Sequence, residues 1–188
     1  MSERPAKRII PEIIGTLRKL LTYCCHSVAV SLLKRKMTML IRVHPPMAVL
    51  FSTHQTTLGE LKNYAGTTVR DLYKYVADLD LLICGPQYWF YYGMDGRPET
   101  RFRLEVALPV QGRIPTTLLP IFKQMPAFKC LCSRHEGPWE DLKKEYDRMF
   151  KYMEENGLKP NGFYAEAFLH IDLAAPADQI TEIQIGLF

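Results

Sequence analysis

A strand–helix–strand–strand pattern occurs twice along this chain, once in residues 48–110 and once in residues 127–188. In each copy the first strand ends in a histidine, His54 or His135. Each helix closes at a leucine before a turn rich in glycine and proline, and each last strand opens with a glutamate, Glu105 or Glu182. A period of about sixty residues is too long for a solenoid unit. It points instead to a duplicated small α+β unit. Two βαββ units about a pseudo-two-fold axis would leave a groove between them, and a groove can hold a ligand.

Length and charge narrow this reading. At 188 residues, 47% of them hydrophobic, the chain can bury one good core and form one domain plus an extension. Residues 1–37 carry eight basic side chains against two acidic, a net of +6, so the whole chain's +4 leaves −2 for residues 38–188. The basic excess belongs to the extension, and no direct nucleic-acid binding is expected of the rest. The apolar run Leu20 to Leu33 spans about fourteen residues, too few to cross a bilayer. It is followed by Lys34-Arg35-Lys36 rather than by a small-residue cleavage site, which argues against secretion. Membrane contact is expected only through this extension, as a basic amphipathic helix; the alternative is a start added ahead of the fold. The five cysteines (Cys24, Cys25, Cys84, Cys130 and Cys132) form no Cys-x-x-Cys pair, which argues against a zinc site; no metal and no cofactor is expected. Cys130 and Cys132 would share one strand face as small buried thiols, and reduced thiols suit the cytoplasm.

The folded part is expected over residues 38–188, as units 38–110 and 127–188 joined by a linker, 111–126, that carries Pro115, Pro120 and Pro126. In the first unit, Met47 to His54 reads as a strand after Pro45-Pro46. Thr67 and Thr68 cap a helix running to about Asp80. Tyr88 to Met94 is an aromatic strand, and Phe102 to Val110 alternates Leu104, Val106 and Leu108 with Glu105 and Ala107. In the second unit, Phe128 to His135 is a strand, Gly137-Pro138 opens a helix, and Asn156-Gly157 closes it. Alternating strands follow at Phe163 to Ile171 and around Ile183 and Ile185.

The alternation assigns faces. The small and aliphatic Ala165, Ala167, Ile183 and Ile185 suit the face that helices cover. The other face would present Tyr164, Glu166, Phe168, His170, Glu182 and Gln184. Rings around one or two acids offer an apolar cation both area and a counter-charge, or offer a reaction a base; a solvated strand face is the plain alternative. Tyr88, Phe90 and Tyr92 fall on one face of their strand and Trp89 and Tyr91 on the other. Which set meets the groove stays open.

The sequence resembles the GyrI-like small-molecule-binding domain, also called the bacterial transcription-activator effector-binding domain. The resemblance rests on His135-Glu136-Gly137-Pro138-Trp139, Glu154-Glu155-Asn156-Gly157-Leu158, Ile180-Thr181-Glu182-Ile183-Gln184-Ile185 and Leu104-Glu105-Val106-Ala107-Leu108-Pro109-Val110, and covers residues 40–188. It implies an α+β fold of duplicated βαββ units, an antiparallel sheet with helices on one side and a ligand groove on the other. Family members sense drugs when fused to DNA-binding domains of the MerR or AraC type, or stand alone, and this chain looks like the stand-alone kind. Some stand-alone members hydrolyse the cyclopropane of DNA-alkylating natural products and so confer toxin resistance. The resemblance maps the groove glutamate to Glu182, its counterpart to Glu105, and a further acid to Glu166. Phe168 stands where tyrosine is usual, Trp139 stands where tyrosine follows Gly-Pro, and Gly186 replaces a usual proline.

Three functions follow as expectations. The first is binding of apolar or cationic small molecules, with a topoisomerase or a regulator as protein partner. The second is hydrolysis of a cyclopropanoid electrophile, with Glu182 as base. The third is haem binding of the SOUL type, which shares this fold and would need His54, His135 or His170 as axial ligand.

Overall fold

The computed structural model describes residues 39–64, 66–113 and 121–188. The extension expected at 1–37, and residues 114–120 of the expected linker, lie outside the described residues. Nine strands form among the described residues: β1 (Leu40–His44), β2 (Met47–Thr56), β3 (Leu82–Ile83), β4 (Gln87–Tyr92), β5 (Phe102–Gln111), β6 (Phe122–Met125), β7 (Phe128–Glu136), β8 (Pro160–His170) and β9 (Ile180–Leu187). Two helices join them, α1 (Thr67–Asp78) and α2 (Leu142–Glu155). All pairings are antiparallel, in the order β1-β7-β9-β8-β4-β5-β2-β6, with β3 on β5. Read outward from the central β8–β4 pair, the runs β8-β9-β7 and β4-β5-β2 have the same order. The fold is thus α+β with an antiparallel sheet.

Helix spacing explains what each helix buries. In α1, Leu72 and Val76 sit one turn apart and are both buried. In α2, Leu142, Glu145, Met149 and Met153 recur every three or four residues and are buried. Both helices end alike. Leu158 N–H donates to Met153 O at 2.9 Å and Gly157, at φ +64°, donates to Glu154 O. Leu81 N–H donates to Val76 O at 3.0 Å and Asp80, at φ +53°, donates to Ala77 O. This pairing satisfies the last carbonyls and needs one left-handed residue, which is glycine in α2 and aspartate in α1. Thr67 and Thr68 are the first residues of α1 rather than its caps; the N-cap is Gly66.

The helices cover one face of the sheet. Leu72, Val76, Met149 and Met153 join one buried cluster with Trp89, Tyr91, Leu104, Val106, Tyr164, Phe168, Ile183 and Ile185. The other face holds a second cluster built on Val49, Tyr88, Phe90, Ala107, Ala165 and Ala167. This corrects the expected faces of β8. Glu166 is opposite Ile183 and Ala167 is opposite Glu182, so Glu166 and Glu182 lie on opposite sides of the sheet. Tyr164, Glu166 and Phe168 go under the helices, while Ala165 and Ala167 face away from them. The alanines are small because Phe90 and Tyr88 stand directly beside them on β4, and the rings need that space. His170 follows a register shift at the end of β8 and is exposed.

β1 and β6 are additions to the expected pattern. β1 pairs β7 from Leu40 to His44, and β6 pairs β2 inside the stretch expected as linker. Among the described residues no helix is long and apolar enough to cross a membrane.

Candidate functional site

Midway along β8, Glu166 lies buried beneath α2. Tyr91, on the neighbouring β4, donates its hydroxyl to Glu166 Oε2 at 2.7 Å. Tyr146, one turn into α2, donates to Oε1 at 3.0 Å. Burial strips water from the carboxylate and raises its pKa; the two phenol donors and the nearby His135 oppose this without overcoming it. The same burial, reinforced by the Glu166 charge, holds both phenols far above the usual tyrosine range, so both remain donors.

What sets Glu166 apart is the lack of an ion pair among the described residues. Glu105, Glu145 and Glu166 are the buried carboxylates among the described residues. Glu105 has Lys123 and Arg103, and Glu145 has Arg148. Glu166 makes no ion pair among the described residues, and its two hydrogen bonds come from neutral groups. A buried carboxylate in that state has unmet attraction for a positive charge.

Rings surround it. Trp89 is opposite Glu166 on β4. Phe168 meets Trp89 and Trp139 edge-on, each at 5.5 Å between centroids. Tyr164 touches Tyr146 and Phe150 through further edge contacts. Trp139 is half-buried in the turn Trp139–Asp141 that leads into α2. Three buried polar atoms here have no hydrogen-bond partner among the described residues: Trp89 Nε1, Trp139 Nε1 and Thr181 Oγ1. Thr181 is opposite both Phe168 and His135, so all three atoms belong to residues around the Phe168 ring. Such orphans are rare in protein interiors and each calls for a partner.

The sequence-derived candidates therefore divide. Trp89, Tyr91, Trp139, Tyr164, Glu166 and Phe168 come together under α2. Tyr88, Phe90, Tyr92, Glu105 and Glu182 stand on the opposite face, and His170 stands apart, exposed at a strand end. On that opposite face Glu182 is paired with Arg42 of β1 and accepts Gln184 Nε2 at 2.7 Å. Glu105 is paired with Lys123 of β6 and approaches Arg103 at 3.7 Å. Each of these acids already has its counter-charge. Of the histidines weighed for haem, His54 bonds Ser52 and lies against Tyr64, and His135 Nε2–H donates to Pro138 O at 3.0 Å.

Sequence reasoning missed Tyr146, Thr181, Arg42 and Lys123. Tyr146 could have been found: a tyrosine on the buried stripe of a helix carries a hydroxyl that needs a partner. Arg42 and Lys123 lie on short edge strands that alternation did not reveal.

The sequence profile of the GyrI-like small molecule binding domain matches residues 37–187, so the chain belongs to that family. No curated protein matches it. Among solved structures, the EcmrR C-terminal domain is 19% identical, with 81% of this chain and 98% of that one covered and a TM-score of 0.65. A hydrolase encoded by lin2189 from Listeria innocua is 16% identical, over 81% and 93% of the two chains, with a TM-score of 0.58. SAV2435 bound to tetraphenylphosphonium is 10% identical, over 81% and 94%, with a TM-score of 0.55. At these identities the likeness is one of fold.

Proposed function

We propose that this GyrI-like chain binds an apolar aromatic cation beneath α2, with Glu166 as counter-charge and Trp89, Trp139 and Phe168 as its walls. The observation that supports this is a buried carboxylate held by two phenol hydrogens, with no ion pair among the described residues, and with aromatic rings around it. Attraction between a cation and ring faces adds to the Coulomb attraction, and both are stronger where water is excluded. A solved relative in fold carries tetraphenylphosphonium, a probe of this class. The test is calorimetric titration with tetraphenylphosphonium. Glu166→Gln is expected to weaken binding about thirty-fold, near 2 kcal/mol, whereas Glu182→Gln on the other face leaves it unchanged. Equal affinity in wild type and Glu166→Gln would remove Glu166 from the site.

The pH dependence follows from the raised pKa of Glu166. The cation prefers the ionised carboxylate. Affinity is therefore expected to climb as pH rises through the raised pKa, then to level off, with proton release on binding in the climbing region.

A hydrolytic reading is supported by the same carboxyl, because a raised pKa makes its carboxylate a stronger base toward water. Incubation with a cyclopropane-bearing alkylator, followed by mass spectrometry, should then give ring-opened product that Glu166→Gln does not form. If Glu182→Gln abolishes turnover instead, the reaction belongs to the opposite face.

A further inference from the structure

On the face away from α2, Cys130 and Cys132 point the same way from β7, and their sulfurs lie 3.4 Å apart. Both are buried, at 0% and 4% exposure. Arg42 stands opposite Cys130 on β1, and its carbonyl lies 3.8 Å from Cys130 Sγ. Neither the cation site nor the core requires two thiols to converge here. We propose that this pair is a dithiol site for a trivalent arsenical, the two sulfurs closing on one pyramidal arsenic.

The backbone and the sulfur separation select that chemistry. Residues two apart in a strand span about 6.6 Å between Cα atoms, near the upper limit for a direct disulfide. A bridge through one atom relieves that stretch. With sulfur bonds to the bridging atom of about 2.3 Å, a linear centre would spread the sulfurs to about 4.6 Å, while near-right angles bring them to about 3.3 Å. The observed 3.4 Å fits the pyramidal case. The adduct is neutral and soft, which suits a buried site better than a charged metal dithiolate. The Arg42 guanidinium beside the pair favours the attacking thiolate, and the Cys130 thiol is lowered, chiefly by its hydrogen bond from Cys132 and then by Arg42. Access comes from the edge. Among the described residues β1 pairs as a strand with β7 alone, four of its five residues are exposed, and its side chains reach beyond β7 through the Arg42–Glu182 ion pair and the His44–Tyr88 hydrogen bond; opening of this short edge strand, with release of those two contacts, uncovers the thiols. For phenylarsine oxide the step is balanced without any oxidant. Two As–S bonds form, the arsenic–oxygen bond breaks, and the oxygen leaves as water with both thiol hydrogens, arsenic remaining trivalent.

The experiment uses the full chain with Cys24, Cys25 and Cys84 changed to serine, so that only this pair can react. Phenylarsine oxide is added under native conditions and the intact mass is read. The expected product gains one phenylarsenic and loses two hydrogens, resists excess glutathione, and is released by 2,3-dimercaptopropanol. Cys130→Ser and Cys132→Ser in that background should each lose at least ten-fold in resistance to glutathione. In the unaltered chain, the arsenical should protect Cys130 and Cys132 together from alkylation, as seen by peptide mapping, which keeps the test independent of whether the serine variants fold. Reaction only in urea, an adduct that survives either serine substitution undiminished, or alkylation of both cysteines despite the arsenical would each overturn the site.

Discussion

A carboxylate kept buried without an ion pair costs the protein stability, and Glu166 shows the sign of that cost. Burial raises its folded pKa above the unfolded value, so the native state holds the proton more tightly. Its favourable contribution is complete below the unfolded pKa and is lost as pH rises through the raised folded pKa. Glu166→Gln removes the loss. The variant is therefore expected to be more stable than wild type at neutral pH and no more stable in acid. Denaturant melts at the two pH values check this, and a variant equally stable or weaker at neutral pH would contradict it. Gain in stability with loss of ligand affinity is what a binding residue shows and a structural one does not. Glu166 and its rings were legible in the sequence as residue types, but their face was not. Alternation divides a strand into two sets without saying which set the helices cover. Their small size suggests the helix side for Ala165 and Ala167, whereas it answers the rings of Tyr88 and Phe90 on the other.

At the scale of elements, the helix ends were readable and the edge strands were not. Asn156-Gly157 announces the end of α2, and Gly157 takes the left-handed conformation there at no steric cost. Asp80 holds the equivalent place in α1 at φ +53°. Asp80→Gly is expected to stabilise the protein by about 0.5–1 kcal/mol, read as a shift in the urea midpoint. β1 and β6 have five and four residues and adjoin prolines, too short for alternation to register. Yet they deliver the cations of the far face, Arg42 to Glu182 and Lys123 to Glu105. Because Glu105 is buried, Lys123→Ala leaves its charge with only the more distant Arg103. A loss of about 2–3 kcal/mol is expected, and Lys123→Ala with Glu105→Gln should recover most of it; without recovery the pair is not what holds β6.

Across the whole molecule, the strand order is the same on both sides of the β8–β4 seam, but the side chains at the seam are not. Trp89 and Glu166 are directly opposed there, an indole on one run facing a carboxylate on the other. The repeated pattern was legible; the strand order was not, because alternation names no neighbours. Register supplies them, and it sets candidate residues of both runs side by side. A ligand held by β4, β8 and α2 ties them together, so binding should stabilise the entire fold rather than one half. At a free concentration a hundred times Kd the gain is about 2.7 kcal/mol, or roughly 5–10 °C in Tm for a domain of this size. The chain has two tryptophans, and both stand at this site. Tetraphenylphosphonium is therefore expected to change intrinsic fluorescence with the same Kd as calorimetry gives, and to raise a single melting transition followed by fluorescence and by circular dichroism alike. Glu166→Gln should lose both responses over that concentration range, while Trp139→Phe should keep a signal from Trp89. Stabilisation without any fluorescence change would place the cation elsewhere, away from the β8–β4 seam.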